Sequence, residues 1–461
     1  MKVDKAASFI HFAFPFLFNP DEFKGLAEAI GGSEGVWERL KFPEEDLLAH
    51  VREYLNPQDE KQPTAYLWKL SDELREDFGF ADRAEWFLCV GERIKIPFQF
   101  GEVGKNCFAV QLTLFRVGVG FLTIRIKLHT ENLGDWLDCI HYFHFVRGQR
   151  DVWIEGRRRV GKDMFEPFFP ERAKQRQPEG AKQNFGQIID AILLTASPKG
   201  EKWWHSVFIE GQLLPYAALF VDGASDDEIP QILYRVCNFF PSRRPIKPSR
   251  EDPSFNYLLP YAERQWFVCA LEGGAFIAFD APDTDFFRRE LPKHLEQHYF
   301  LLFLLVQHQR FALMRISQEI SEHWLKGDER ERVKTFENVR NNLLDFTARG
   351  YFMQVMQREH HHRVYRRWQE VLQIEQLYRE VNDEVREMHE YLQARQMRKL
   401  EQRINALSAF IGIPALVFGF FSINLYGITA KGEGLSLGFA LGLAALSFLS
   451  GFLIWLWLSR K

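Results

Sequence analysis

Pro414-Ala-Leu-Val-Phe-Gly419-Phe-Phe-Ser422-Ile423-Asn424 lies inside an apolar segment, residues 407–425, that has no charged side chain. A second segment, 435–458, has none over 24 positions, and a helix needs about 20 apolar residues to cross the core of a bilayer. Lipid cannot hydrogen-bond exposed backbone groups, so both segments are predicted to be helices. The alternative is a buried helical hairpin of a soluble protein, which the length of the uncharged runs disfavours. The sequence therefore predicts two membrane spans and a short outer loop at 426–434.

The charges that flank these segments predict their orientation. The loop between them has one lysine, whereas the tail 459–461 ends in Arg460 and Lys461. Further basic residues precede the first segment, namely Arg395, Arg398, Lys399 and Arg403. Because basic residues favour the cytoplasmic side, we expect a multi-pass protein of the cell inner (plasma) membrane with both termini in the cytoplasm.

Composition excludes some classes of function. A net charge of −4 with 26% charged residues gives no overall attraction to nucleic acid, so direct nucleic-acid binding is not expected. The five cysteines are scattered and form no metal or redox motif. The chain also has no phosphate-binding loop, no Gly-x-Ser-x-Gly and no His-Glu-x-x-His. No enzyme activity and no required cofactor are therefore predicted.

Residues 1–290 are predicted to form an α/β domain. Short apolar runs bounded by turn formers predict strands, at 86–90, 108–116, 120–128, 152–155, 206–210, 266–271 and 275–280. The runs 108–116 and 120–128 are separated by three residues and predict a hairpin or an abrupt chain reversal. The aromatic run 8–18 predicts a buried strand.

Residues 291–406 are predicted to form long helices, because no proline occurs between Pro292 and Pro414. The helices are expected at 293–325, at 329–348, and from Tyr351 without a break into the first apolar segment. The last would be a stalk of roughly 95 Å up to residue 413. Apolar residues recur along it at spacings of 3 and 4, at Val371, Ile374, Tyr378, Val381, Val385, Met388 and Leu392. This seam predicts packing on the preceding helices, on neighbouring subunits, or on both.

A large cytoplasmic domain, a very long helix entering the first span, a small outer loop and a short basic tail together resemble the CorA family of divalent-cation channels. The first span of that family ends in a Gly-Met-Asn signature, which is matched here as Ser422-Ile423-Asn424, with Gly419 upstream. The resemblance implies an α+β membrane protein, a homopentamer in the lipid bilayer, that conducts Mg²⁺ or another divalent cation past a ring of Asn424 amides. From local sequence alone, Asn424 as a cap of the helix end is the alternative.

The resemblance also implies roles for charged residues before the first span. Arg395 and Arg398 lie at the predicted inner pore mouth, where they either line the axis and repel cations or face lipid headgroups. Family members bind regulatory Mg²⁺ with carboxylates between subunits. The corresponding region here offers Asp383, Glu384 and Glu387.

The N-terminal domain is larger than is usual in this family. One branch of CorA-like proteins with enlarged domains is encoded beside type III CRISPR systems, which implies a second function, that of a membrane effector of antiviral defence activated by a nucleotide second messenger. Arginine suits phosphate binding, and the candidate residues are Arg157, Arg158, Arg159, Arg243, Arg244 and Lys247. Solvated loops explain the same residues.

Three consecutive histidines, His360-His361-His362, follow Glu359. Successive residues of a helix point about 100° apart, so these three cannot bind one ion together. One of them can join ligands from another helix or subunit. A polar helix face is the simpler interpretation.

Overall fold

The computed structural model of the chain describes residues 1–33, 35–57, 63–80, 84–101, 109–144, 151–160, 164–174, 184–207, 211–244, 248–249, 252–324, 327–429, 442, 445–446, 449 and 452–453. Between 409 and 429 the side chains are described at 410–412, 415–416 and 419. The chain divides into two compact units. The first comprises Met1–Glu322 and Asn338–Val381, and the second comprises His323–Glu337 and Asn382–Lys461.

The first unit is built on one mixed sheet. Its described strands are β1 (Lys2–Val3), β2 (Phe9–Leu17), β3 (Trp37–Leu40), β4 (Ala65–Leu70), β5 (Glu85–Val90), β6 (Ile94–Phe100), β7 (Val110–Phe115), β8 (Val119–Leu128), β9 (Val152–Arg159), β10 (Phe165–Phe168), β11 (His205–Ser206), β12 (Leu214–Asp222), β13 (Leu258–Ala262), β14 (Gln265–Ala270) and β15 (Gly273–Phe279). The main path of the sheet runs β10-β9-β5-β6-β8-β2-β12-β15-β14-β13. A branch leaves β8 through β7 and β4 to β3, while β1 pairs with β12 and β11 with β2. β12 and β15 are parallel, and their other described neighbours are antiparallel.

The described helices are α1 (Phe23–Gly31), α2 (Ala49–Leu55), α3 (Asp72–Asp77), α4 (Leu133–His144), α5 (Glu171–Lys174), α6 (Phe185–Thr195), α7 (Ile229–Cys237), α8 (Leu291–His294), α9 (Phe300–Glu319), α10 (Glu329–Arg349), α11 (Glu359–Val371) and α12 (Ile374–Thr429). Two π-helical turns, Phe286–Glu290 and Leu295–Tyr299, precede α9, and a third, Ile320–Trp324, follows it. The chain is thus an α+β protein with a large sheet domain and long helices towards its C-terminus.

Strand β2 lies in the middle of the sheet, between β8 and β12. Its first eight residues are buried, as expected for a strand that is covered on both faces. Phe12 packs on Phe143 of α4, with ring centroids 5.4 Å apart. His11 points to the opposite face, where it stacks on Phe300 of α9 at 4.4 Å. Helices therefore cover both faces of the sheet.

Helix α9 is buried on nearly all sides, which requires neighbours all round it. Phe311 meets Phe121 of the sheet at 6.1 Å, and Phe303 meets Trp368 of α11 at 5.1 Å. The helix is therefore held between the sheet and α11.

Gln309 of α9 connects this layer through buried hydrogen bonds. Its Nε2 donates to the Gly350 carbonyl at 3.2 Å and to the Tyr365 hydroxyl at 2.9 Å. The Tyr365 hydroxyl in turn donates to the Phe352 carbonyl at 2.8 Å. Gln369 Nε2 donates to Gln309 Oε1 at 3.0 Å. The amide of Gln309 thereby provides a hydrogen-bond donor for the backbone carbonyl of Gly350, which lies between α10 and α11.

The predicted buried strand and the predicted hairpin are confirmed as β2 and as the antiparallel pair β7–β8. The prediction of an unbroken helix from Tyr351 is wrong. Residues 351–358 are not helical. A second break falls between α11 and α12, where Gln373 has a φ of 53°. The predicted helix at 329–348 is confirmed as α10.

The second unit contains the first part of α10 and α12 from Asn382 onward. Phe336 stacks on His389 at 5.6 Å, and Trp324 meets Tyr391 edge-on at 5.6 Å. The seam residue Met388 is buried, so packing of the predicted stalk on a preceding helix is confirmed here. Within the described residues, no helix combines the length and the hydropathy that crossing a membrane requires.

Candidate metal centre

Asp46, His298 and His361 come together in the first unit from three segments. Asp46 precedes α2, His298 lies in the π-helical turn Leu295–Tyr299, and His361 lies in the first turn of α11. Each offers one potential ligand atom, and these three atoms lie within 4.8 Å of one another. Both histidines are 1% exposed as whole residues, and the Asp46 side chain is 14% exposed. We call this group the Asp-His-His cluster.

Asp46 has a left-handed backbone, with a φ of 62°, which aspartate adopts more readily than most other non-glycine residues. Its carbonyl oxygen accepts a hydrogen bond from the Gln357 N–H at 3.0 Å. The Leu48 N–H donates to the Val355 carbonyl, also at 3.0 Å. Residues before α2 thus pair with residues just before α11. This pairing fixes Asp46 opposite the start of that helix.

His361 is enclosed by rings. Tyr299 meets it edge-on at 4.7 Å, and His298 meets it at 5.7 Å. Neither ring nitrogen of His361 has a hydrogen-bond partner among the described residues. Burial, aided by the nearby His360 and other basic groups, lowers the pKa of His361 to about 3. Its imidazole is therefore neutral at physiological pH and has a lone pair for a metal ion.

His298 occupies a π-helical turn, a local widening that is frequent at functional sites. Its Nδ1 has no hydrogen-bond partner in the described part of the chain. Its Nε2 lies 3.9 Å from Oε2 of Glu45, and its ring stacks on His294 at 5.1 Å. Burial lowers the pKa of His298, and His294 adds to this, while Glu45 and Asp46 oppose it.

Arg358 provides the positive charge next to Asp46. Its Nε lies 2.9 Å from both carboxylate oxygens and donates a hydrogen bond to Oδ1. The Arg358 side chain is half exposed and immediately precedes α11. It competes with a cation for the carboxylate, and because it borders solvent it can turn away when one binds.

Two imidazoles and one carboxylate form a ligand set typical of divalent transition metals such as Zn²⁺. Mg²⁺ prefers oxygen ligands alone. In tetrahedral zinc sites, ligands at about 2.0–2.1 Å from the ion lie roughly 3.3 Å apart. The cluster would have to contract by at most about 1.5 Å to match these distances. Three protein ligands would leave one position open.

The three consecutive histidines of α11 point in different directions, as predicted. His361 is buried in the cluster, whereas His360 and His362 are partly exposed. The interpretation of the whole run as a polar helix face is therefore wrong for His361. Sequence reasoning missed His298, which stands in an apolar run, and Asp46, which stands among other acids, because only folding brings them together.

The predicted pore residues belong to α12. Gly419 is an exposed helical residue, and the helical backbone continues through Ser422, Ile423 and Asn424, whose side chains lie outside the described residues. The first positions of the predicted outer loop are also helical, because α12 ends at Thr429. Most of 435–458 lies outside the described residues. The filter and the second span stay predictions.

The predicted inner-mouth arginines differ in their surroundings. An Arg395 guanidinium nitrogen lies 3.0 Å from Oε2 of Glu329, and another donates to the Tyr391 hydroxyl at 3.2 Å. Lys399 pairs with the same glutamate. Arg398 is exposed. Part of the basic charge before the first predicted span is thus neutralised within the second unit.

The predicted regulatory acids lie on α12 in the second unit. Asp383 is exposed and lies 4.0 Å from Arg386, Glu384 is partly buried, and Glu387 is exposed. A site between subunits requires several copies of the chain, so this role stays a prediction.

Most described members of the predicted nucleotide clusters contact aromatic rings. Arg157 pairs with Glu85 at 2.6 Å and lies over the rings of Phe87 and Phe165 at 4.7 and 4.5 Å. Arg158 lies over Phe168 at 4.3 Å, and Arg159 ends the same strand. Arg157 is therefore already neutralised within the sheet.

The second cluster follows α7. Arg243 and Arg244 are exposed, and Arg244 lies over the ring of Phe240 at 4.2 Å. Lys247 lies outside the described residues. None of the described members of the two clusters lines the cavity described next.

A cavity of about 560 Å³ lies in the first unit. Its lining includes His11, Lys41, Lys69, Glu296 and Phe300. Of these lining residues, Glu296 forms an ion pair: Arg125 Nε lies 2.8 Å from its Oε1, and both side chains are largely buried. Burial, followed by the positive charge of Arg125, lowers the pKa of His11. The cavity has the size and the mixed lining of a small-molecule site.

No protein-family model and no curated protein matches the chain. Among solved structures, the chain is similar to the CorA magnesium transporter from Methanocaldococcus jannaschii, with 11% sequence identity and a TM-score of 0.18. The match covers 57% of this chain and 95% of that chain. A likeness of this size shows neither the fold nor the function of the present chain.

Proposed function

We propose that the chain is a CorA-like membrane channel or transporter for divalent metal cations, gated through its enlarged N-terminal domain. Residues 407–425 and 435–458 cross the cell inner (plasma) membrane, with both termini cytoplasmic. The chain assembles as a homo-oligomer, a pentamer by the CorA resemblance. Asn424 amides line the outer filter.

The continuity of α12 carries this proposal. One helix runs from Ile374 to Thr429, so the predicted stalk and the first predicted span belong to a single element. Its beginning packs in the first unit, where Ile374 is buried and Tyr378 stacks on Tyr351 at 5.0 Å. The proposed gating runs along this helix, from its packed beginning in the first unit to the predicted span.

A stripe of exposed apolar side chains on α12 supports the homo-oligomer. Before the predicted span they recur at spacings of 3 and 4, at Met397, Leu400 and Ile404, and each is at least half exposed. Helices with apolar residues at an average spacing of 3.5 pack against one another. Since the described residues of one chain leave the stripe uncovered, copies of the same helix are its natural partners.

Cation flux into proteoliposomes tests the transport proposal. Purified full-length protein should conduct at least one of Mg²⁺, Zn²⁺ and Ni²⁺ in preference to Na⁺. Absence of flux for every cation, with the protein folded and inserted, would exclude a channel that needs no further ligand. The same measurement with added cyclic oligoadenylates covers a channel that opens only with a nucleotide.

Asn424→Ala tests the filter. Removing the amide ring should change the ratio of Mg²⁺ to Na⁺ flux by about tenfold or more if each amide contributes a hydrogen bond of roughly 0.5–1.5 kcal/mol to a water of the hydrated ion. Asn341→Ala is the matched control, because Asn341 is exposed on α10. An unchanged ratio in Asn424→Ala would remove this residue from the filter.

The cavity of the first unit favours a second candidate function, a nucleotide-activated membrane effector of type III CRISPR defence. Lys41 and Lys69 in its lining offer positive charge, although Lys69 also pairs with Glu38 at 2.6 Å. Calorimetry of the full chain with cyclic oligoadenylates tests this function. Binding that is lost in Lys41→Ala would support it, and no heat with any of these nucleotides would count against it.

A further inference from the structure

We propose that the Asp-His-His cluster binds a divalent transition-metal ion of the Zn²⁺ class. The ion would join the segment before α2, the turn Leu295–Tyr299 and the start of α11 into one clamp. This site is independent of the proposed filter at Asn424, and its ion is a resident ligand, not the transported one.

The first argument is the unmet hydrogen-bonding capacity of the cluster. Three buried imidazole nitrogens, two of His361 and one of His298, find no hydrogen-bond partner among the described residues. Each buried polar atom without a partner costs about 1–3 kcal/mol. A bound metal ion would satisfy one nitrogen of each ring and remove most of this cost.

Burial alone does not make such a site. His308 is also buried with both ring nitrogens unpartnered in the described structure, but it stacks on Phe115 at 3.9 Å and joins no group of three potential ligands there. His361 differs because a second imidazole and a carboxylate converge on it. Convergence of three ligands from separate segments is the feature that points to a metal ion.

The second argument is preorganisation. The left-handed backbone of Asp46 and its pairing with Gln357 place the carboxylate at the start of α11. The π-helical turn places His298 across from it. Both devices act on the backbone, so the ligands approach one another before an ion arrives, which reduces the cost of binding.

The third argument is charge. A lone buried carboxylate requires a positive partner, and Arg358 provides it at 2.9 Å from the Asp46 oxygens. A divalent ion would replace this interaction, and the half-exposed guanidinium would return to solvent at little cost. The nitrogen ligands favour Zn²⁺, Co²⁺ or Ni²⁺ over Mg²⁺.

Metal titration of the full chain in detergent tests the proposal. After chelator treatment, we expect about one Zn²⁺ bound per chain by calorimetry and a visible absorption band on loading with Co²⁺, neither of them prevented by excess Mg²⁺. Absence of both signals in the folded protein would overturn the proposal.

Asp46→Asn is the decisive variant, because asparagine also tolerates a positive φ and keeps an oxygen for Arg358. It should weaken Zn²⁺ binding by more than about 100-fold, beyond the usual effect of residues that only orient a ligand. His361→Gln should do the same, whereas His205→Ala, a change at an exposed histidine of β11, should bind as wild type does. Zn²⁺ should raise the thermal unfolding midpoint of wild type and of His205→Ala only.

The metal-free unfolding midpoints separate loss of the site from loss of the fold. If Asp46→Asn has the wild-type midpoint without metal and still binds Zn²⁺ with unchanged affinity, the ion binds elsewhere and the proposal fails.

Discussion

His308 shows how one buried side chain can make the whole fold sensitive to acid. Burial lowers its pKa to about 3, against about 6.5 in an unfolded chain. Above about pH 6.5 both states hold the neutral ring. Below that, the unfolded chain takes up a proton that the folded chain does not, so folding loses stability as pH falls.

We predict that His308→Leu reduces this acid sensitivity. Between pH 7.5 and 5, His308 should account for a loss of about 2 kcal/mol in the free energy of unfolding, and this part should be missing in the variant. Denaturant unfolding of both proteins at several pH values measures it. Equal pH slopes would show that His308 is not buried in its neutral form.

At the scale of elements, the sequence predicted what local patterns determine. A continuous aromatic run was enough to predict β2, and two apolar runs bounded by turn formers were enough to predict the hairpin β7–β8. The absence of proline was not enough to predict where the helices after Tyr351 begin and end. Residues 355–357 leave the helix because they pair with 46–48, and Gln373 ends α11 in a left-handed conformation without glycine or proline. Both breaks depend on tertiary contacts, which no local pattern reports.

The buried bonds around Gln309 give a prediction for the helical layer. Tyr365→Phe removes the hydroxyl that donates to the Phe352 carbonyl and accepts from Gln309. We expect a loss of about 0.5–1.5 kcal/mol in the free energy of unfolding, because the Gln309 amide and the Phe352 carbonyl each lose one hydrogen bond and keep longer ones. Tyr391→Phe is the control at an exposed hydroxyl, whose hydrogen bonds from Arg332 and Arg395 border solvent, and it should cost under about 0.5 kcal/mol. Equal losses in both variants would argue against the network.

At the scale of the whole molecule, the exposed apolar stripe on α12 bears on how copies of the chain assemble. The stripe on α12 predicts that Leu400→Gln with Ile404→Gln weakens the oligomer, since each buried apolar side chain contributes about 1.5–3 kcal/mol per copy. Native mass measurement in detergent should show smaller species. Leu271→Gln with Met353→Gln, at exposed apolar positions of the first unit, is the control and should leave the mass unchanged. The same mass for both pairs would exclude the stripe as an interface.

The candidate site could be predicted only in part. The CorA resemblance directs attention to Asn424 and the membrane, and the run of three histidines directs it to α11. The partners of His361 carry no pattern of their own, because a metal site built from three segments is defined by the fold and not by spacing. The filter, in contrast, has a signature in one short segment.

The place of β2 in the sheet has a consequence during synthesis. It is made early, yet its neighbour β12 follows some 200 residues later, which corresponds to roughly 10–40 s on a ribosome. For that time one edge of a strand of buried residues has no partner. Such edges pair readily with other chains, so the nascent chain should depend on chaperones until β12 has emerged.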